Sequence, residues 1–282
     1  MRKIRKKILL PVCAAVFAAG YLALCQPLTV RQYTIWSEKV TSPVRLAVIA
    51  DLHSTYYGDD QQQLLSVLRQ EQPDAVLLVG DTADDEVPHD GAACLLSVIG
   101  TEFPCYLVFG NHEFWAEDFP DIQKMVQDSG VHLLRGESCL LQVGDTTIQL
   151  AGVDDPDGFA DPAAWQAHLR ETASGLQEGV ATILLSHRPE QIAAYDTGEF
   201  DLVVAGHAHG GQVRIPYLLN GLYAPNQGWF PAYAGGVYPL EQTTLVVSRG
   251  LCRNELPRIC NPPELLMITM APAGIGEEGK EQ

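Results

Sequence analysis

Residues 44–53 read Val-Arg-Leu-Ala-Val-Ile-Ala-Asp-Leu-His. A run of strand length, rich in Val, Leu and Ile, stops abruptly at a carboxylate and an imidazole. Four more runs stop the same way. Ala75 to Val79 passes into Gly80-Asp81, and Tyr106 to Phe109 into Gly110-Asn111-His112-Glu113. Val180 to Leu185 passes into Ser186-His187, and Leu202 to Ala205 into Gly206-His207-Ala208-His209. Short continuous apolar runs are the mark of strands buried on both faces. In α/β sheets, sites assemble at the C-terminal edge of the strands. Five runs that deliver Asp, His and Asn to one edge predict a site there.

Outward from these runs, Thr147 to Ala151, Thr244 to Val247 and Leu265 to Thr269 also have strand length. Helix-like segments lie between the strands. Asp161 before Pro162 is an N-cap with proline in the first turn, and Gly175 suits the stop. Pro189 opens another segment that ends near Gly198. Leu64, Leu65 and Leu68 mark one apolar face, and Ile122, Met125 and Val126 mark another. The alternation predicts one layered α/β domain over residues 44–270. Within it, residues 215–240 are crowded with Pro, Gly, Asn and aromatics, the composition of a long loop. The Gly- and Glu-rich residues 271–282 are expected to be a disordered tail.

The ends and the charge narrow the function. Lys and Arg total 18 against 35 Asp and Glu, a net charge of −17. Five of those cations lie in the first seven residues, leaving 13 against 35, a balance of −22 for the remainder. A body this acidic repels phosphate backbones, so nucleic-acid binding is not expected. After the basic start, Ile8 to Cys25 carries no charged residue. A helix of that length spans roughly 27 Å, just enough for a hydrocarbon core. Residues 1–30 therefore read as a targeting or anchoring element. Two outcomes stay open, an uncleaved single-pass anchor or a secretory signal removed near Ala19 to Cys25. Either one leaves the acidic body outside the cytoplasm by the positive-inside rule. Seven cysteines without a CxxC pair exclude a zinc ribbon. Cys252 and Cys260 leave a disulfide open.

The polar residues at the strand ends form a ligand set: Asp51, His53, Asp81, Asn111, His187, His207 and His209. Asp51 and His53 are two apart, as are His207 and His209, so on extended strand ends each pair would point the same way. Imidazole with hard oxygen and no thiolate suits Mn, Fe or Zn rather than a structural zinc site. Seven such residues are enough for two divalent ions sharing one bridge. Asp81 could offer its two oxygens to both. His89, His132 and His168 read as packing residues.

The blocks DLH (51–53), GDTAD (80–84), GNHE (110–113), SH (186–187) and GHAHGGQ (206–212) resemble, in order, the calcineurin-like metallophosphoesterases, over roughly residues 44–270. LSHRPE (185–190), SRGL (248–251) and NPPEL (261–265) resemble a membrane-associated bacterial branch that includes UDP-2,3-diacylglucosamine hydrolases. The resemblance implies a four-layer α-β-β-α sandwich of two mixed sheets with a binuclear site at its edge. It implies that Asp51, His53, Asp81 and His209 hold one ion, and that Asp81, Asn111, His187 and His207 hold the other, with Mn the first choice. It also implies that His112 is the catalytic histidine, oriented by Asp84.

Two divalent ions, two aspartates and one bridging hydroxide leave about one positive charge, which would draw in an anionic phosphate for in-line attack. The expected substrate is a phosphorylated small molecule or lipid, first a phosphodiester or pyrophosphate of the cell envelope, and the expected state is a monomer. The alternatives are a phosphomonoesterase acting on a soluble metabolite and a non-catalytic metal-binding module. No GxSxG, GxxxxGK[ST] or HExxH motif supports another hydrolase class.

Overall fold

The apolar runs become strands because nearly every side chain in them has a buried partner on each face. Ala75–Val79 and Ala181–Leu185 are buried at all five positions. The computed structural model describes residues 20–21, 23–253 and 257–273. In chain order the first strands are β1 (Thr29–Ser37), β2 (Val44–Ile49), β3 (Ala75–Val79), β4 (Cys105–Val108) and β5 (His132–Leu133). Next come β6 (Ser138–Val143), β7 (Thr146–Gly152), β8 (Ala181–Leu185) and β9 (Leu202–Ala205). The short pair β10 (Tyr223–Ala224) and β11 (Gly228–Trp229) precedes β12 (Gly236–Pro239), β13 (Thr244–Val247) and β14 (Glu264–Pro272).

Two six-stranded mixed sheets result, in the orders β1-β14-β2-β3-β4-β5 and β12-β13-β9-β8-β7-β6. The strands that carry the motifs run parallel within each sheet, β2 with β3 and β4, and β8 with β9. Alternating side chains give each strand two faces. Leu46, Val48 and Leu77 meet Ile148, Leu150, Ile183 and Val204 between the sheets. Ala47, Ile49, Val76 and Leu78 face the other way, toward Leu64 and Leu68 of α1 (Gln62–Glu71) and Leu95 and Ile99 of α2 (Asp90–Glu102). Leu184 and Val203 on the far sheet pack under Trp165 and Leu169. The architecture is the expected four-layer α-β-β-α sandwich.

Further helices among the described residues are α3 (Asn111–Trp115), α4 (Phe119–Asp128), α5 (Pro162–Ser174) and α6 (Ile192–Tyr195). Asp161 caps α5 as anticipated, accepting the backbone N–H of Ala164 at 2.8 Å. The helix expected from Pro189 to Gly198 shrinks to the single turn of α6.

Two boundaries move. β1 lies ahead of the expected domain start and pairs in parallel with β14 from Thr29↔Glu264 to Ser37↔Pro272. Its sequence, TVRQYTIWS, alternates polar and apolar because it is a half-exposed edge strand, and it lacks the apolar run used to recognise the others. The same pairing carries β14 to Pro272, so the first two residues of the expected tail belong to the sheet. The rest of that tail from residue 274, and most of the apolar stretch 8–25 (residues 8–19 and 22), lie outside the described residues. Among the described residues no helix is long and apolar enough to cross a membrane, and no disulfide forms.

Candidate metal centre

The strand ends converge because the two sheets pack face to face with the C-terminal ends of β2, β3, β8 and β9 on the same side of the sandwich. Carboxylate oxygens of Asp51 and Asp81 and ring nitrogens of His53 and His209 lie within 4.8 Å of one another, all buried. Asp81 forms a second such group with His187 and His207. All seven predicted ligands are at most 3% exposed.

Local backbone geometry does the aiming, and it differs from the expected extended ends. Asp51, His53, Asp81, His207 and His209 all have positive φ, between 46° and 65°. Each left-handed non-glycine residue costs about 1–2 kcal/mol, so five together mark a site the surrounding fold must hold in place. The paired side chains thus meet through tight turns beyond β2 and β9, not through strand alternation. Two glycines are needed for contact. A Cβ on Gly80 would lie 2.4 Å from His187 Nδ1, and one on Gly110 would lie 2.2 Å from Asp81 Oδ1.

Hydrogen bonds fix what each ligand offers. The backbone N–H of His207 donates to Asp51 Oδ1 at 2.7 Å, and that of His112 to Asp81 Oδ1 at 3.0 Å. The second oxygen of each aspartate is buried without a hydrogen-bond partner, as is Asn111 Oδ1. His187 Nδ1 donates to the Val79 carbonyl at 2.8 Å, which turns Nε2 inward. There Nε2 lies 2.9 Å from Asp81 Oδ2, outside hydrogen-bond geometry, and 3.2 Å from His207 Nδ1. Several buried lone-pair atoms converging on one point is an arrangement that a cation resolves.

Without a cation, the buried carboxylates draw positive charge onto a neighbouring imidazole instead. Burial pushes Asp51 up to about 6, with His187 and His53 opposing and Asp81 adding to the rise. Burial also works against ionised Asp81, but His187 and His53 hold it well below the usual carboxylate range. His187 is disfavoured as a cation by burial, yet Asp81 and Asp51 raise it to about 10. Burial and neighbouring His187 hold His207 well below its ordinary value, and burial and His53 do the same for His209, so both rings are neutral donors. The donor set of imidazole nitrogen and hard oxygen therefore fits divalent cations.

Several residues beyond the seven shape the centre. His53 Nδ1 is 2.8 Å from Asp84 Oδ2, and His112 Nδ1 is 2.5 Å from Asp85 Oδ1. Among the described residues the carboxylate hydrogen-bonded to the His112 ring is Asp85, whereas Asp84, expected there, is hydrogen-bonded to His53. The one-residue offset follows from the turn after β3, where Asp84 Oδ1 accepts the N–H groups of Glu86 and Val87 and its other oxygen faces His53.

Glu113 takes four buried backbone N–H groups, those of Asp81, Thr82, Ala83 and Gly110. It clamps the Gly80-Asp81 turn to the start of α3. Burial and adjacent Asp81 raise its carboxyl to about 7, against the N–H groups of Ala83 and Gly110. Asn226, from the long loop, accepts from His207 Nε2 at 2.8 Å, and Asn261 Nδ2 holds the His209 carbonyl at 2.7 Å. Asn226 was hidden in the sequence. It is one of several polar residues in a turn-rich segment, and nothing local ties it to His207. His89, His132 and His168 stand outside the centre, against Asp118, Tyr106 and Phe159.

The sequence profile described as calcineurin-like phosphoesterase matches residues 44–211, the stretch that contains every ligand above. The chain belongs to that family. Calcineurin-like phosphoesterases are metal-dependent phosphoester hydrolases, and this one is an enzyme of that kind. An uncharacterized metallophosphoesterase of Aquifex aeolicus is 26% identical over 254 residues, covering 88% of this phosphoesterase and 93% of the relative. The phosphodiesterase YaeI of Escherichia coli is 22% identical over 260 residues, 89% of this chain and 92% of its own. A Danio rerio transmembrane protein with a metallophosphoesterase domain is 26% identical over 95% of this phosphoesterase, which spans 63% of that longer protein.

Proposed function

We propose that this phosphoesterase holds two divalent ions and hydrolyses a phosphodiester or pyrophosphate of a lipid or cell-envelope substrate. One observation carries the binuclear reading: the Asp81 carboxylate belongs to both ligand groups. In this reading Asp51, His53, Asp81 and His209 hold one ion, and Asp81, Asn111, His187 and His207 hold the other. Manganese is the first choice, with iron or zinc as alternatives that the same donors accommodate. Divalent ions bound there supply Lewis-acid charge for the phosphoryl oxygens and make hydroxide available near neutral pH.

The chain's own residues do the rest. Asp84 orients the His53 ring and the Val79 carbonyl orients His187, so each presents its other nitrogen to the centre. His112 stacks edge-on to His53, with ring centroids 4.4 Å apart, and Asp85 steadies it. Its imidazole is placed to stabilise charge developing on the phosphoryl group or to protonate the leaving oxygen.

Two observations support a lipidic substrate at a membrane. The loop that sends Asn226 to His207 also exposes Trp229 and Phe230, at 68% and 69%. The uncharged apolar stretch 8–25 has the length of an anchor or a signal, and a relative 26% identical is named a transmembrane protein. The phosphodiesterase relative favours a diester over a monoester. The deciding experiment is elemental analysis of the purified protein, with bis-p-nitrophenyl phosphate and p-nitrophenyl phosphate assayed on the same sample with Mn²⁺. About two metals per chain with diester turnover is the expected result. Monoester turnover alone would move the reading to a phosphatase, and neither metal nor activity would overturn it.

A further inference from the structure

A concentration of exposed apolar and partly buried basic side chains lies away from the metal ligands. A cavity of about 510 Å³ is lined by Arg31, Arg214 and Arg249, with Ile215, Tyr217 and Leu218 on its wall. None of the seven ligands lines it. Three guanidiniums in one cavity are conspicuous in a chain with a net charge of −17.

They are also under-neutralised. Buried Glu264 lies 3.5 Å from Arg249 Nε and 3.7 Å from Arg31 Nε. Neither Arg249 Nε nor Glu264 Oε2 has a hydrogen-bond partner, although both are buried. Among the described residues, one carboxylate, that of Glu264, therefore feels all three cations. A Cβ on Gly235 would touch both Arg249 Cγ and Arg214 Nη1, at 2.7 and 3.4 Å, so two of the arginines crowd one spot. Burial and the neighbouring Arg249 pull the Arg214 guanidinium down to about 10. Clustered cations of this kind are stabilised by an oxyanion, which planar guanidiniums bind through paired hydrogen bonds.

Position adds a second argument. Cys260, on the cavity wall, donates its backbone N–H to the Ala23 carbonyl at 2.7 Å, and Gln26 Nε2 donates to the Arg258 carbonyl. The cavity thus adjoins the end of the apolar stretch 8–25. Tyr217 and Leu218 are almost fully exposed beside it. Cationic side chains next to exposed aromatic and aliphatic ones suit the interface of a bilayer with anionic headgroups.

We propose that the Arg31–Arg214–Arg249 cavity is a phosphoryl-binding site, separate from the metal centre, with Ile215, Tyr217 and Leu218 receiving an apolar chain attached to the phosphoryl group. The site stands whether or not the metal centre is catalytic.

The test uses full-length protein in detergent, titrated with inorganic phosphate by calorimetry before and after EDTA treatment. A phosphate equivalent that survives EDTA is expected, weakened about tenfold or more in Arg31→Gln and in Arg249→Gln, as loss of one charged hydrogen-bonding partner should. Arg31 is half exposed on an edge strand, so its variant remains informative if Arg249→Gln fails to fold. Binding that vanishes with EDTA, or that Arg31→Gln leaves unchanged, would overturn the proposal. Vesicles of phosphatidylglycerol against phosphatidylcholine then separate the sources. Displacement of phosphate by the anionic vesicles alone identifies a lipid headgroup, and no displacement identifies a soluble phosphoryl compound; both outcomes uphold the site.

Discussion

Asp84 Oδ2 lies 2.8 Å from Nδ1 of His53, while the very next residue, Asp85, holds the ring of His112. Two consecutive carboxylates on one turn therefore orient two different imidazoles, one a candidate ligand and the other the candidate catalytic group. This division separates metal loading from turnover, and it can be tested with single substitutions.

Asp84→Asn is expected to weaken metal binding about 10–100-fold, the usual cost of losing a carboxylate behind a ligating histidine. Asp85→Asn should leave metal content intact and lower kcat instead. Elemental analysis and steady-state kinetics on both variants check the assignment. Equal metal loss in the two would refute the division.

His112→Ala should retain the metals and lose about 10²–10⁴ in turnover, as removal of a positioned proton donor does. Unchanged turnover would show that His112 has no catalytic part.

Asp81→Ala should deplete both ions together, because its carboxylate is shared by the two ligand groups. Asn111→Ala should deplete one. Metal-to-protein ratios of near zero and near one are expected; a ratio of one in Asp81→Ala would mean that it does not bridge.

Removing the metals with EDTA leaves Asp51 and Asp81 buried without the cations that offset them. At a free-metal concentration of 100 times Kd, each bound ion adds about 2.7 kcal/mol of stability, or about 5.4 kcal/mol for two. Loss of both corresponds to a fall in Tm of roughly 10–20 °C. A calorimetric scan unchanged by EDTA would contradict a loaded centre.

Glu113→Ala would strand four buried N–H groups that the carboxylate now accepts. Each unsatisfied donor costs about 1–3 kcal/mol, so a loss of about 3 kcal/mol or more is expected after partial relaxation. Urea unfolding in the presence of EDTA isolates this effect from metal loss.

Polar replacement of Trp229 and Phe230 should slow hydrolysis of a lipidic phosphodiester and spare the soluble nitrophenyl diester. Equal slowing of both would sever the loop from lipid recognition.

The five strand-end motifs were legible in the sequence because a buried strand writes an unbroken apolar run, and the polar residue that ends it stands out. That pattern gives the α/β layering, the edge that carries chemistry and the ligand types. It misses β1, whose half-exposed edge position mixes polar with apolar residues. It also misplaces the geometry at Asp51 and His53, because left-handed turns replace the extended backbone that two-residue spacing suggests.

What remained for the tertiary structure is what no local pattern encodes. The His207 N–H reaches Asp51 across 156 residues, and His187 finds the Val79 carbonyl across 108. Asp85 rather than Asp84 takes His112 because a single turn sets which way each carboxylate points. The arginine cavity gathers residues 31, 214 and 249 from three distant segments. Residue type and strand boundary follow from local hydrophobic burial, and the sequence by itself determined those. The partner of each polar side chain depends on how two sheets pack face to face, and only the folded chain decided that.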